Sequence, residues 1–175
     1  LPSFGADTTG TWAAAAAGRM DSLAGYTWSP ATPGGFTADV VLVFDNTSDF
    51  ASTAGANLSV KSVTTDAAYG GNWSISGRTL TCAAGASWDG TGTLNLGNGV
   101  TCNGASSTFH VGSGVGAVTA SSCAVTMNGT TGMVIDDDKG VTFKSLTLGA
   151  AAVVTNSGAA GSIIQNNATC FTLGN

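Results

Sequence analysis

The chain has 175 residues and a formal net charge of −5, and only 9% of its residues are charged, well below the quarter that is typical of soluble domains. Binding to nucleic-acid phosphates needs clustered lysines and arginines. So few of them are present that a nucleic-acid binder of the usual kind is excluded. With 43% hydrophobic residues, the chain is too apolar for a disordered tail. Polar residues interrupt every apolar run before the roughly 18 residues of a membrane span. We therefore expect neither nucleic acid nor membrane insertion.

The acidic residues carry a second bias, because all ten of them are aspartates and the chain contains no glutamate. Glutamate favours helices, whereas aspartate favours turns. Glycine is also abundant, with 26 residues. This composition disfavours long helices.

Residues 1–36 differ in pattern from the rest and predict a short helix followed by an irregular connector. Five consecutive alanines follow Trp12, and Trp12, Met20 and Leu23 recur at helical intervals on one face. Two of the three prolines and a Gly-Gly pair come after this stretch. We expect these three side chains to form an N-terminal cap, with residues 1–36 acting as a cap or attachment segment.

From residue 37 onward the hydrophobic period changes to two. Very short alternating segments run from Val40-Val-Leu-Val-Phe44 to Phe171-Thr-Leu173, and Gly, Asn, Asp or Ser separates nearly every neighbouring pair. No helical pattern lies between them. Residues 37–175 are therefore expected to form one all-β domain.

A repeat in the cysteine spacing favours a parallel β-helix, or β-solenoid, with coils of about 20 to 22 residues. Cys82, Cys102 and Cys123 follow one another at almost equal intervals of this length, and we expect them to stack as a cysteine ladder in the core. The alternative is a β-sandwich or jelly roll, because the pairs Asn103-Gly104 and Asn128-Gly129 are typical of hairpin turns.

Three stretches resemble the coils of single-stranded right-handed parallel β-helices. They are Trp73-Ser-Ile-Ser-Gly-Arg-Thr-Leu-Thr-Cys82, Gly92-Thr-Leu-Asn-Leu-Gly-Asn-Gly-Val-Thr-Cys102 and Lys144-Ser-Leu-Thr-Leu-Gly149. Such coils occur in repetitive phage structural proteins, in bacterial surface adhesins and autotransporter passengers, and in pectin-lyase-like proteins. The resemblance covers about residues 37 to 175. It implies the fold rather than an activity.

Few side chains carry chemistry. The weak metal candidates are Asp136, Asp137 and Asp138, whose oxygens suit Ca²⁺, but consecutive strand residues point to opposite faces, so we expect a solvated corner and no cofactor. Four further aspartates, Asp45, Asp49, Asp66 and Asp89, are expected to form turns rather than an acid pair. The lone His110 alternates with apolar neighbours and is expected to face solvent. We therefore predict that the chain is not an enzyme.

The sequence offers two further candidates for a binding surface. Tryptophans can form a sugar-stacking platform, but Trp73 and Trp88 are separated by less than one predicted coil, so we expect them to lie on different faces and to fill the core. An ice-binding solenoid needs threonines at constant register. Thr81 and Thr101 align, but Ser122 occupies the next predicted position, so the array is expected to end after two coils.

The function expected from this pattern is structural. A weakly charged solenoid suits a protein on the exterior of a virion, such as a capsid-decorating or fibre component of a phage, held by self-association as a homo-oligomer, with a trimer favoured. Its partners would be other virion or cell-surface proteins. The alternatives are a bacterial cell-surface adhesin and an extracellular β-helix that binds or depolymerises glycans.

Overall fold

The computed structural model describes residues 7–105, 107–128, 132–135 and 141–149, together with the backbone of 153–156, 163–165 and 171–173. Within these ranges the protein is an all-β solenoid, which confirms the predicted fold class. The strands are β1 Thr8–Trp12, β2 Gly18–Arg19, β3 Tyr26–Ser29, β4 Val40–Phe44, β5 Ser52–Thr53, β6 Leu58–Thr65, β7 Trp73–Ser74, β8 Thr79–Trp88, β9 Leu94–Asn95, β10 Gly99–Cys102, β11 Thr108–Val111, β12 Val118–Thr119, β13 Ala124–Met127, β14 Gly132–Ile135, β15 Val141–Phe143, β16 Ser145–Leu148, β17 Val153–Asn156, β18 Ile163–Gln165 and β19 Phe171–Leu173.

The chain passes through three stacks of parallel strands in a fixed order. The histidine stack contains β4, residues 62–65 of β6, residues 85–88 of β8, and then β11, β14 and β17. The short-strand stack contains β2, β5, β7, β9 and β12. The threonine stack contains residues 58–60 of β6, residues 80–82 of β8, and then β10, β13, β16 and β19. Since each stack pairs one coil with the next, the backbone groups of the short strands find partners outside their own coil.

The predicted N-terminal helix is wrong. Trp12 ends strand β1, residues 13–17 have no regular structure, and Leu23–Gly25 forms a single 3₁₀ turn. A run of five alanines makes little more than one helical turn, and an isolated helix of that length does not repay its nucleation cost. Strand β1 instead pairs with β4 on one side and with β3 on the other. No helix in the described ranges is long and apolar enough to cross a bilayer.

The N-terminal end of the solenoid is covered by an antiparallel strand. Strand β3 lies along the outer edge of β1, and this is the one antiparallel pair within the described ranges. Two of the three predicted cap residues, Trp12 and Met20, are fully buried beneath it, whereas Leu23 stays partly exposed. Tyr26, and not Leu23, is the third buried residue of the cap. Its buried hydroxyl donates a hydrogen bond to the carbonyl oxygen of Met20 at 2.8 Å. Strand β3 thereby pairs the outer edge of β1 and becomes the terminal strand of this sheet.

An aromatic column runs through the core from the first coil toward the last described coils. Each ring lies 5.2–6.5 Å, centroid to centroid, from the next, mostly in tilted or edge-to-face contact. Its members are Trp12, Phe44, Trp73, Trp88, Phe109 and Phe143. Because consecutive members come from different coils, the column ties the coils together through side chains as well as through backbone hydrogen bonds.

The register of the threonine stack corrects the prediction that its threonines end after two coils. Thr101 is the Cα partner of Thr81 on one side and of Thr126 on the other, and Thr147 follows Thr126. The step along the chain from Thr101 to Thr126 is longer than the step from Thr81 to Thr101. The longer coil moves the equivalent position past Ser122, which lies in the turn before β13.

Candidate functional site

Three polar side chains that are distant in sequence meet on the outer surface of the histidine stack. Ser87 on β8 is the Cα partner of His110 on β11. Their neighbours Trp88 and Phe109 are buried in the core, so Ser87 and His110 point to the outside. Asp89 follows β8 directly and joins them at the corner.

The three side chains form a hydrogen-bonded cluster. The hydroxyl of Ser87 donates to Oδ2 of Asp89 at 2.8 Å, and its Oγ lies 3.0 Å from Nδ1 of His110. Because the hydroxyl proton is directed to the carboxylate, Oγ is the acceptor for an Nδ1–H of His110. The Nδ1 atom also lies 3.6 Å from Oδ1 of Asp89, and the two side chains keep 25% and 35% of their surface exposed.

The order of the three groups decides what the cluster does chemically. A nucleophilic triad places the imidazole between the hydroxyl and the carboxylate, so that the imidazole takes the hydroxyl proton. In this protein the Ser87 hydroxyl lies between Asp89 and His110 instead. The cluster is therefore arranged to connect two coils and to fix a corner, rather than to activate Ser87.

Sequence reasoning did not find this cluster. The sequence predicted that Asp89 forms a turn and that His110 faces solvent. His110 does lie on the outer surface, but it is half-buried there, and its Nδ1 atom lies 3.6 Å from Oδ1 of Asp89. The signal that identifies the cluster is the step along the chain from Ser87 to His110, which is longer than the step from Cys82 to Cys102. It becomes visible only when the length of this coil is known.

Asp45 and Asp66 act as turn formers, as predicted, whereas Asp49 accepts a hydrogen bond from the next coil instead of from its own turn. Oδ1 of Asp45 accepts from the backbone N–H of Thr47, and Oδ1 of Asp66 accepts from that of Ala68, both at 2.8 Å. Asp49 accepts from the backbone N–H of Gly70 at 2.7 Å. Within the described residues no three histidine, cysteine or acidic side chains are grouped as metal ligands. Asp136, Asp137 and Asp138 lie outside the described residues.

Thr65, which the sequence pattern did not single out, is buried beside the turn at Asp89 and Gly90. The hydroxyl of Thr65 is an acceptor for the backbone N–H groups of Asp89 and Gly90, both at 3.1 Å. Only 2% of Thr65 is exposed. Since Thr65 is the Cα partner of Trp88, its hydroxyl supplies a partner for the turn in the next coil, where the strand ends.

The cysteine ladder has two members rather than three. Cys82 and Cys102 are Cα partners, but the next position in the row is Met127. Cys123 is buried earlier in that coil, in the turn before β13, because the coil after Cys102 is longer than the cysteine spacing suggests. All three are free thiols. Burial raises the pKa of all three thiols, to about 12 for Cys102 and Cys123, so thiolate chemistry is suppressed.

The tryptophans lie as predicted, on different stacks and in the core. Trp73 belongs to the short-strand stack and Trp88 to the histidine stack, and their rings meet edge to face at 5.4 Å. At most 2% of either side chain is exposed. Trp12 is buried as well, so these three rings offer no surface platform for sugars.

Comparison of the chain with protein-family models, with curated proteins and with solved structures finds no match.

Proposed function

We propose that this chain is a non-enzymatic structural protein that forms a rigid projecting element on the exterior of a virion, as a capsid-decorating or fibre component. The observation that carries the proposal is the continuous core of the solenoid. Parallel strand pairing connects each described coil to the next, and the aromatic column passes through the same coils. Such a body resists bending because every coil covers the core of its neighbour.

The chemistry of the surface and the core supports the same role. With 9% charged residues, the protein presents mostly neutral hydroxyl, amide and small apolar groups. Its described thiols are buried and hold their protons. Buried, protonated thiols of this kind resist oxidation, which suits a protein in an external environment.

The placement on a virion rests on the resemblance of the coils to repetitive phage structural proteins. A bacterial cell-surface adhesin is the second candidate on the same grounds. The depolymerising or glycan-binding alternative gains less support, because Trp12, Trp73 and Trp88 fill the core. We expect the protein to assemble as a homo-oligomer, with a trimer favoured.

Immunogold electron microscopy and light scattering test the proposal together. Antibodies raised against the purified chain are applied to the phage fraction and to the bacterial cells of the source sample. Gold on the outside of virions, together with a solution mass about three times the 17.1 kDa of the chain, is the expected result. Gold on bacterial cells alone would replace the virion by the adhesin. A monomer that labels neither would overturn the proposal.

A further inference from the structure

One outward-facing row of the threonine stack consists almost entirely of threonine. Its members, in coil order, are Ser59, Thr81, Thr101, Thr126 and Thr147, and the backbone register continues to Thr172. The side chains alternate with buried neighbours such as Leu80 and Cys82, which places the row on the outer surface of the sheet. Because neighbouring strands lie about 4.8 Å apart, the row repeats at nearly constant spacing.

The rows that flank the threonines from Thr81 to Thr147 contain only small or uncharged side chains, whereas the ion pair of Lys61 with Asp7 lies beside Ser59 at one end of the row. The parallel row two residues earlier contains Thr79, Gly99, Ala124 and Ser145. On the other side, the amide nitrogen of Asn128 donates to the amide oxygen of Asn103 at 2.7 Å, so the two amides are aligned along the same axis. The threonine side chains from Thr81 to Thr147 therefore stand among small, uncharged neighbours.

Within the described part of the chain, the hydroxyl groups of the row have no hydrogen-bond partner. Thr81, Thr101, Thr126 and Thr147 are each partly exposed, and their side chains make no hydrogen bond to any described residue. Threonine is stiff at χ1, and the sheet beneath is fully packed. The row thus presents preorganised methyl and hydroxyl groups to the outside.

The other outward rows show that this uniformity is not a general property of the strands. The corresponding row of the histidine stack contains Val43, Thr64, Ser87, His110 and Val134. That of the short-strand stack contains Arg19, Thr53, Ser74, Asn95 and Thr119. Strand propensity acts equally on all three stacks, so it does not account for a single uniform row.

The chemistry of the row restricts its ligand. A charged ligand gains nothing from a neutral surface, and a flexible chain does not match groups held at a fixed spacing. The surface suits a rigid, uncharged lattice whose atoms both donate and accept hydrogen bonds at a repeat close to the strand spacing. The water molecules at the surface of an ice crystal have these properties. We propose that the threonine row of this solenoid is an ice-binding surface.

The test uses the full chain and a growing ice surface. The purified protein is frozen slowly into polycrystalline ice, and its partition between ice and liquid is measured, together with inhibition of ice recrystallisation. Thr101→Tyr and Thr126→Tyr place bulky rings in the middle of the row. Thr53→Tyr and Thr119→Tyr are the matched controls, because both residues are exposed on the short-strand stack. Partition into ice is expected for the natural chain and both controls, and its loss for the two row variants.

Two further measurements keep the outcome decisive. Thermal unfolding confirms that each variant is folded. If a tyrosine variant does not fold, Thr101→Val keeps the shape of the side chain and removes only its hydroxyl, and is expected to reduce ice partition. Exclusion of the natural chain from ice, equal loss in the controls, or retention on crystalline cellulose or chitin without ice binding would each overturn the proposal. The virion labelling experiment gives its answer independently of this one.

Discussion

The Oγ atom of Ser87 lies 3.0 Å from the Nδ1 atom of His110, although the two residues are separated by a complete coil of the solenoid. The two residues are directly opposite each other on parallel strands, so the hydrogen bond crosses from one coil to the next. It is one of the side-chain links that connect coils on the outer surface rather than in the core.

Removal of either partner is expected to lower the stability of the solenoid modestly. Ser87→Ala and His110→Ala should each reduce the free energy of unfolding by about 0.5–1.5 kcal/mol, the usual net contribution of one hydrogen bond. The double variant should lose less than the sum of the single variants, because each removes the same interaction. Urea unfolding measures these differences, with the exposed Thr108→Ala on the same strand as the control. Strict additivity would show that the two side chains do not interact.

The aromatic column predicts larger effects in the core. Trp88→Ala and Phe109→Ala should each lower the free energy of unfolding by about 3–5 kcal/mol, since each leaves a cavity against rings of neighbouring coils. Trp88→Phe should cost less, because it keeps ring contacts and removes an indole Nε1 that is buried without a partner in the described part of the chain. Phe50→Ala is the control, since Phe50 is 47% exposed. A similar loss for Phe50 would contradict the assignment of the column as the core.

The sequence predicted the strands from Val40 onward because the alternation that defines them is local, and it recurs in every coil. It did not predict β1, where the helix propensity of the five alanines was the strongest local signal. Pairing of Trp12 and its neighbours with strands β3 and β4 overrides that propensity. Propensity is a weak guide wherever tertiary partners are available.

The sequence predicts the alignment of neighbouring strands correctly for one pair of coils and incorrectly for the next pair. Cys82 and Cys102 are correctly aligned, but the following coil is longer, and extra residues in a turn leave no mark on the alternation of the strands. Cys123 was therefore placed in the ladder instead of Met127, and Ser122 in the row instead of Thr126. The nearness of Ser87 to His110 was missed for the same reason, since it depends on coil length alone.

Strand β8 contains a bulge at Gly85, which predicts that a substitution there is destabilising. Between the partners Val60–Cys82 and Ser62–Gly85, strand β8 contains one residue more than β6, and Gly85 adopts a φ of +116°. A Cβ at Gly85 would lie 2.5 Å from the backbone nitrogen of Thr108 and against its carbonyl oxygen. Gly85→Ala should therefore cost both backbone strain and a steric clash.

Gly77→Ala separates these two costs. Gly77 has a φ of +70°, and a Cβ there meets no atom within 4 Å. This variant should lose only about 1–2 kcal/mol, the cost of a left-handed conformation with a Cβ, whereas Gly85→Ala should lose clearly more. Thermal and urea unfolding of both variants measure the difference. Equal losses would mean that the backbone of Thr108 moves away at no cost.

The buried cysteines predict that the native protein resists thiol reagents. Cys82, Cys102 and Cys123 are fully buried, and a low thiolate fraction slows their reaction further. In a Cys170→Ser background, which removes the cysteine outside the described residues, a disulfide reagent at pH 8 should label no thiol in the native protein and all three in denaturant. Rapid labelling without denaturant would contradict the described packing of this core.

The same thiols predict a loss of stability at alkaline pH. Their pKa is raised in the folded state, to about 12 for Cys102 and Cys123, whereas an unfolded thiol titrates at about 8.5. Above that pH the unfolded chain releases protons that the folded chain retains, so the free energy of unfolding falls as pH rises, by up to about 1.4 kcal/mol per pH unit for each thiol. Below about pH 8 the thiols give no such dependence.

Urea unfolding between pH 7 and pH 9.5 should show this decline, and Cys102→Ala should make it shallower. This range ends below the ordinary tyrosine pKa of about 10, so the buried Tyr26 contributes little to the slope. An unchanged slope in the variant would show that Cys102 is already accessible in the folded state.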